Sequence, residues 1–185
     1  LLGEDGRALA EGTTWLHVLE GKAHAGRFYA EVPFEIPLAA ETGRLEISMF
    51  SYRDGQLSHL RTVDLVLLSI GSPLIHPSIE GPEKLAIFAP RYEAIVEGSH
   101  VFVYGGGWVA SELPLTVEIL DRNGVVLGSA ETYLDAPAIG QAGIFQVDVP
   151  YEVAYPQWGR IAVSEHSADF PGLIHYNTVE VWLRP

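Results

Sequence analysis

Apolar and polar residues alternate with period two through most of this chain. Leu115, Val117 and Ile119 alternate with Thr116 and Glu118, Ile161 and Val163 with Ala162 and Ser164, and Val179, Val181 and Leu183 with Glu180 and Trp182. Successive side chains of a strand point to opposite faces, so each run predicts a strand with one face turned to a core and a mostly polar face turned away. The 3.6-residue spacing of amphipathic helices is nearly missing. Turn signals separate the runs. The sharpest is Asp121-Arg122-Asn123-Gly124, because Asn-Gly readily adopts the positive φ angles of a tight hairpin.

The chain also repeats itself. Glu4-Asp5-Gly6-Arg7-Ala8-Leu9 matches Arg122-Asn123-Gly124-Val125-Val126-Leu127, and each follows an apolar pair, Leu1-Leu2 and Ile119-Leu120. Gly26, Phe28, Ala30 and Val32-Pro33-Phe34-Glu35-Ile36 match Gly143, Phe145, Val147 and Val149-Pro150-Tyr151-Glu152-Val153. Gly43-Arg44-Leu45-Glu46-Ile47-Ser48 matches Gly159-Arg160-Ile161-Ala162-Val163-Ser164, and His59 and Val63-Asp64-Leu65 fall on His175 and Val179-Glu180-Val181. The offset drifts only from 118 to 116 residues. Shared Gly, Pro and aromatic positions at a steady offset mark a duplicated unit.

The second copy predicts seven strands, near residues 85–89, 100–105, 115–121, 124–130, 143–149, 159–165 and 177–183. Seven short strands in one such stretch is the pattern of an immunoglobulin-like sandwich. Its core is expected to hold Ile87, Val101, Val103, Val117, Ile119, Phe145, Val147, Ile161, Val163, Val179 and Val181. The first copy begins at the third of these strands. The expected fold is therefore all-β, two tandem immunoglobulin-like antiparallel β-sandwiches, with the first incomplete at its N-terminus. Residues 1–70 form the incomplete domain, 71–84 a Pro/Gly/Ser-rich linker and 85–185 the complete domain. Such a linker is extended and moderately stiff.

Residues 85–185 resemble the immunoglobulin-like domain of bacterial spore-germination and sporulation-associated proteins. The resemblance is carried by Ile87-Phe88-Ala89-Pro90, Val96-Glu97-Gly98, Val101-Phe102-Val103-Tyr104-Gly105, the hairpin Val117 to Leu127, Gly143-Ile144-Phe145 and Val179-Glu180-Val181. It extends to the later two thirds of the domain in the first copy. It implies an exported bacterial protein, at the cell surface or outside the cell, serving as a binding or assembly module without assigned catalytic residues.

Composition narrows the function classes. With 24 acidic and 11 basic side chains the net charge is −13. A nucleic-acid binder needs clustered Lys and Arg to displace phosphate counterions, and this chain lacks them. Anionic membrane surfaces are disfavoured for the same reason. The longest apolar stretch, Val63 to Ile70, is broken by Asp64 and Ser69 and is too short to span a bilayer. Cysteine is absent, which removes disulfides and thiolate chemistry. Seven histidines occur without HExxH or an i, i+4 pair, so they read as local hydrogen-bonding groups, and no metal or other cofactor is expected. Asp121, Asp135, Glu165 and Asp169 lack any calcium-loop spacing and read as surface charge. No nucleophile elbow is present. Gly105-Gly106-Gly107 lacks the Lys-Ser/Thr of a phosphate loop and is expected to end the second strand of the complete domain. An enzyme is not expected.

Aromatic and apolar positions on the outward faces remain. Trp182 alternates out of phase with Val179, Val181 and Leu183, and its counterpart in the first copy is Val66, with Leu68 on the same outward face. Outward apolar residues mark contact with another domain or chain, so Val66, Leu68 and Trp182 are the candidate interaction residues. The expected function is structural: a cell-envelope or extracellular assembly protein whose partners are other proteins or copies of itself. A sandwich lacking two strands exposes a sheet edge; either a part of the same polypeptide upstream of Leu1 or strand complementation from another chain, building a filament, would cover it. The alternative is an accessory glycan- or peptidoglycan-binding module, with sugars stacking on Trp108 or Trp158.

Overall fold

Alternation of this kind leaves each strand with an apolar face that only a second layer can cover. A computed structural model describes residues 1–18, 26–71, 84–167 and 172–185. Among these the chain is all-β and has no helix. The strands are β1 (Leu2–Gly3), β2 (His17–Val18), β3 (Gly26–Arg27), β4 (Ala40–Phe50), β5 (Leu57–Leu68), β6 (Leu85–Ala89), β7 (Ile95–Glu97), β8 (His100–Gly107), β9 (Leu115–Asp121), β10 (Val126–Thr132), β11 (Gly143–Pro150), β12 (Gln157–His166) and β13 (Leu173–Arg184). The expected linker, 71–84, lies outside the described residues except at its two ends. The chain divides into two compact units, Leu1–Glu46 with Val63–Pro77, and Ile47–Thr62 with Ser78–Pro185. The hairpin joining β4 to β5 thus belongs to the second unit.

In the second unit, β13, β12, β9 and β10 pair antiparallel in that order, and His59 to Arg61 of β5 pair along β13. The three residues of β7 add to β13 in parallel. A second antiparallel sheet runs β11–β8–β6. Val103, Phe145 and Val149 of this sheet pack with Val117, Ile119, Ile161, Val163, Val181 and Leu183 of the first, all essentially excluded from water. Full burial stabilises each such side chain by about 1.5–3 kcal/mol. Of the expected core, Ile87, Val147 and Val179 are partly buried against this cluster and the others are buried. The turn after β9 forms as its sequence dictates. Asp121 Oδ1 accepts from the Asn123 and Val125 N–H groups, both at 2.8 Å, and Gly124 takes φ +81°.

The glycine run ends β8, as expected, and Gly105, Gly106 and Gly107 remain paired with β11 and β6 up to that end. A Cβ on Gly105 would enter the Phe145 ring and the Ala86 carbonyl. The run therefore lets a large aromatic and two strands approach one backbone closely.

In the first unit β1 pairs with β4, β4 lies beside β5, and β2 pairs with β3. Repeat-related positions have matching neighbours. Leu2 pairs with Arg44, and Leu120 with Arg160. A Cβ on Gly43 would stand 2.6 Å from Leu67 and 2.7 Å from the Leu2 carbonyl, and one on Gly159 2.5 Å from both Leu183 and the Leu120 carbonyl. Each glycine lets a leucine cross the strand below it.

Phe145 and its neighbour Ile144 test this layering, because one is buried and the other exposed. Phe145→Ala should lower unfolding stability by about 3–5 kcal/mol, whereas Ile144→Ala should change it by about 1 kcal/mol or less. Urea unfolding followed by circular dichroism measures both.

Candidate functional site

Two places in the chain carry more than core packing: an open strand in the first unit and a charged clamp in the second. The open strand comes first. Gly26 to Ile36 keeps its alternation, with Val32, Phe34 and Ile36 half-buried between exposed Glu31, Pro33, Glu35 and Pro37. Their counterparts Val149, Tyr151 and Val153 are buried. The contrast is greatest at Phe28, which is 48% exposed where Phe145 is 1% exposed. Among the described residues, 28–36 enter no strand ladder.

One edge of this segment pairs with β2, and among the described residues none pairs with the other. His17 pairs with Arg27, and in the second unit Asp135 makes an isolated bridge to Ile144. These are repeat-related pairs. A Cβ on Gly26 would meet the His17 carbonyl at 2.5 Å, and one on Gly143 the Asp135 carbonyl at 2.5 Å. Thr14 Oγ1 donates to the Tyr29 carbonyl at 2.6 Å. Backbone groups alternate sides along a strand, so Tyr29 and Arg27 turn to the β2 side and Phe28 to the other. That other side corresponds to the edge of β11 that holds β8. The unit holds no counterpart of β6 or β8 among the described residues.

The clamp is built on the hairpin 51–56. Gly55 supplies the left-handed turn at φ +72°. Arg53 Nε donates to Glu180 at 2.8 Å and Nη2 to Glu93 at 3.0 Å. The Arg53 guanidinium lies 4.1 Å over the Trp158 ring, a cation–π contact. Ser51 donates its hydroxyl to the second Glu180 oxygen. Beside this, Arg160 donates to Asp54 and to the Leu57 carbonyl, the latter at 3.0 Å. Arg160 is 1% exposed, and a charge so buried is stable only when paired.

The first copy resolves the related positions differently. Arg44 Nε donates directly to Asp64 at 2.8 Å, whereas Arg160 and Glu180, paired across β12 and β13, each turn to the hairpin. No local sequence signal marks Arg53, Asp54 or Glu93 as members of this network. The repeat alone points to Arg160 and Glu180, through Arg44 and Asp64.

The candidate interaction residues fall on both units. Val66 and Leu68 are exposed on β5, in the first unit. Trp182 is half-buried in the second. Its ring meets Trp158 edge to face at 5.2 Å, and its backbone N–H donates to the Ala94 carbonyl. Trp158 is thus covered by Arg53 and Trp182, and Trp108 is half-buried. Glu165 is buried, holding His175 at 2.7 Å and the Ala110 N–H at 2.5 Å, and so ties the segment after β8 to β12. Asp121 caps its own turn, while Asp169 lies outside the described residues. No protein-family model and no curated protein matches the chain.

Burial alone would raise the Asp54 carboxyl pKa, but the hydrogen bonds from Arg160 and the Gln56 N–H outweigh it and hold it below its ordinary 3.8. A carboxyl depressed by folding stabilises the native state above its ordinary pKa, and that contribution is lost as pH falls through the folded value. The clamp should therefore loosen below about pH 3.8, seen as a change in the fluorescence of the Trp158–Trp182 pair. Asp54→Asn should lower stability at neutral pH by about 3 kcal/mol, because it strands buried Arg160, and should flatten the acid transition.

Proposed function

We propose that this chain is a non-catalytic assembly protein of the bacterial cell envelope or extracellular space. In this reading it consists of two tandem immunoglobulin-like sandwiches of the spore-germination-associated type. The first is open, and a strand from another polypeptide completes it, joining chains into a polymer. The observation that carries the reading is Phe28, exposed beside an edge with no partner among the described residues, where its counterpart Phe145 lies under a paired strand. Exposed backbone and apolar surface of this kind favour pairing with another strand. Exposed Val66 and Leu68 add apolar surface to the same unit. The acidic charge of −13 keeps such a surface from indiscriminate association.

One observation favours glycan binding as the second reading. On the outward face of the β11–β8–β6 sheet, Phe88 meets Tyr104 edge to face at 5.6 Å. Exposed Phe102, Ile144, Gln146 and Asp148 share this face with them. Aromatic rings with polar companions suit saccharide stacking and hydroxyl recognition.

Sedimentation velocity across a concentration series separates the two readings. Assembly predicts species that grow with concentration and collapse to monomer in Phe28→Asp, with Phe102→Ala unaffected. A monomer at every concentration that binds cell-wall glycan, and loses it in Phe102→Ala, would establish the second reading instead.

A further inference from the structure

Resting on the assembly reading, we infer that the open edge of residues 26–33 selects its incoming strand by sequence. It takes an antiparallel segment of another polypeptide of the pattern apolar-x-apolar-x-Gly, with the glycine opposite Phe28. The second unit contains the bound state of the related edge. There β8 lies along β11 with Phe145 opposite Gly105, Val147 opposite Val103, Val149 opposite Val101 and Pro150 opposite His100. Transferred through the repeat, the acceptor positions are Phe28, Ala30, Val32 and Pro33.

Three features of that ladder set the selection. First, Phe145 crosses the backbone of its partner strand, and a Cβ on Gly105 would stand inside its ring. Phe28 is the same residue type on the same face, so it imposes the same demand for glycine. Second, Ala30 stands where the complete unit has Val147, which packs partly buried on the core. The smaller acceptor leaves room for a donor residue larger than Val103, such as Ile or Leu, and filling such space favours binding about fourfold per buried methylene. Third, Pro33 lacks an N–H, as does Pro150 at the end of β11. The ladder therefore closes at the same place in both copies, and its length is that of β8.

The test uses the intact chain and a fluorescein-labelled peptide of the sequence His100–Gly107 with a solubilising Lys tail, read by polarisation. Binding is expected, about fourfold tighter for the Val103→Ile peptide and at least about tenfold weaker for the Gly105→Leu peptide. The Phe28→Ala chain should bind the parent and Gly105→Leu peptides alike, because removal of the ring removes the demand for glycine. Circular dichroism of that variant checks that it is folded. Equal binding of the two peptides by the unaltered chain would overturn the inference. So would no peptide binding by a chain that self-associates in the centrifuge, although that result would leave the assembly reading standing. A chain that neither binds peptide nor self-associates removes both.

Discussion

Each strand presents an apolar face, and the fate of that face decides what each part of the chain becomes. In the second unit two sheets cover one another, so that Phe145, Ile119 and Val181 lose nearly all contact with water. In the first, the same alternation persists from Gly26 to Ile36 with no covering strand among the described residues; Val32, Phe34 and Ile36 stop at partial burial and Phe28 is exposed. The difference does not lie in the apolar pattern, which the two copies share. It lies in the presence of β6 and β8. A ladder needs two members, and the residues with strand pattern but no partner are only an extended segment.

This constraint also explains what was legible in the sequence. The seven strands expected in residues 85–185 all form, with ends shifted by at most a few residues, because each has both an alternating face and a partner. Alternation over 26–36 has the same appearance on paper, yet only Gly26–Arg27 enters a ladder. The short β7 escaped notice because three residues ending before Gly98 are too few to display a period. The glycine run closes β8 as its sequence suggests, but its use in close approach is revealed only by the register with Phe145.

The hairpin clamp was the least legible part, for a reason specific to charge. Arg160 looks like an ordinary outward strand residue, since it alternates with Gly159 and Ile161. Its burial depends on Asp54 and the Leu57 carbonyl, more than a hundred residues away in sequence. An ion pair between residues so distant has no local period, cap or turn to announce it. Its energetic weight is nonetheless large, because a guanidinium removed from water needs its partners in place. The repeat gave the one available hint: the same arginine recurs as Arg44, which meets its acid directly on the neighbouring strand.

The proposed assembly follows from the inequality of the two copies. If both were open, each chain would offer two acceptors and growth would branch. If both were complete, no edge of this kind would remain. In the proposed assembly the described residues offer one acceptor of this type, and a contact between an acceptor on one molecule and a donor segment on the next is heterologous. Such contacts repeat along a line unless the rotation between neighbours happens to close a ring. The β8 of the second unit cannot serve as that donor without leaving its own core, where Val103 is fully buried and Gly105 lies beneath Phe145. Withdrawing it would uncover the very residues that stabilise the unit. The proposed assembly therefore calls for a separate donor segment with β8-like sequence, recognisable by glycine opposite Phe28.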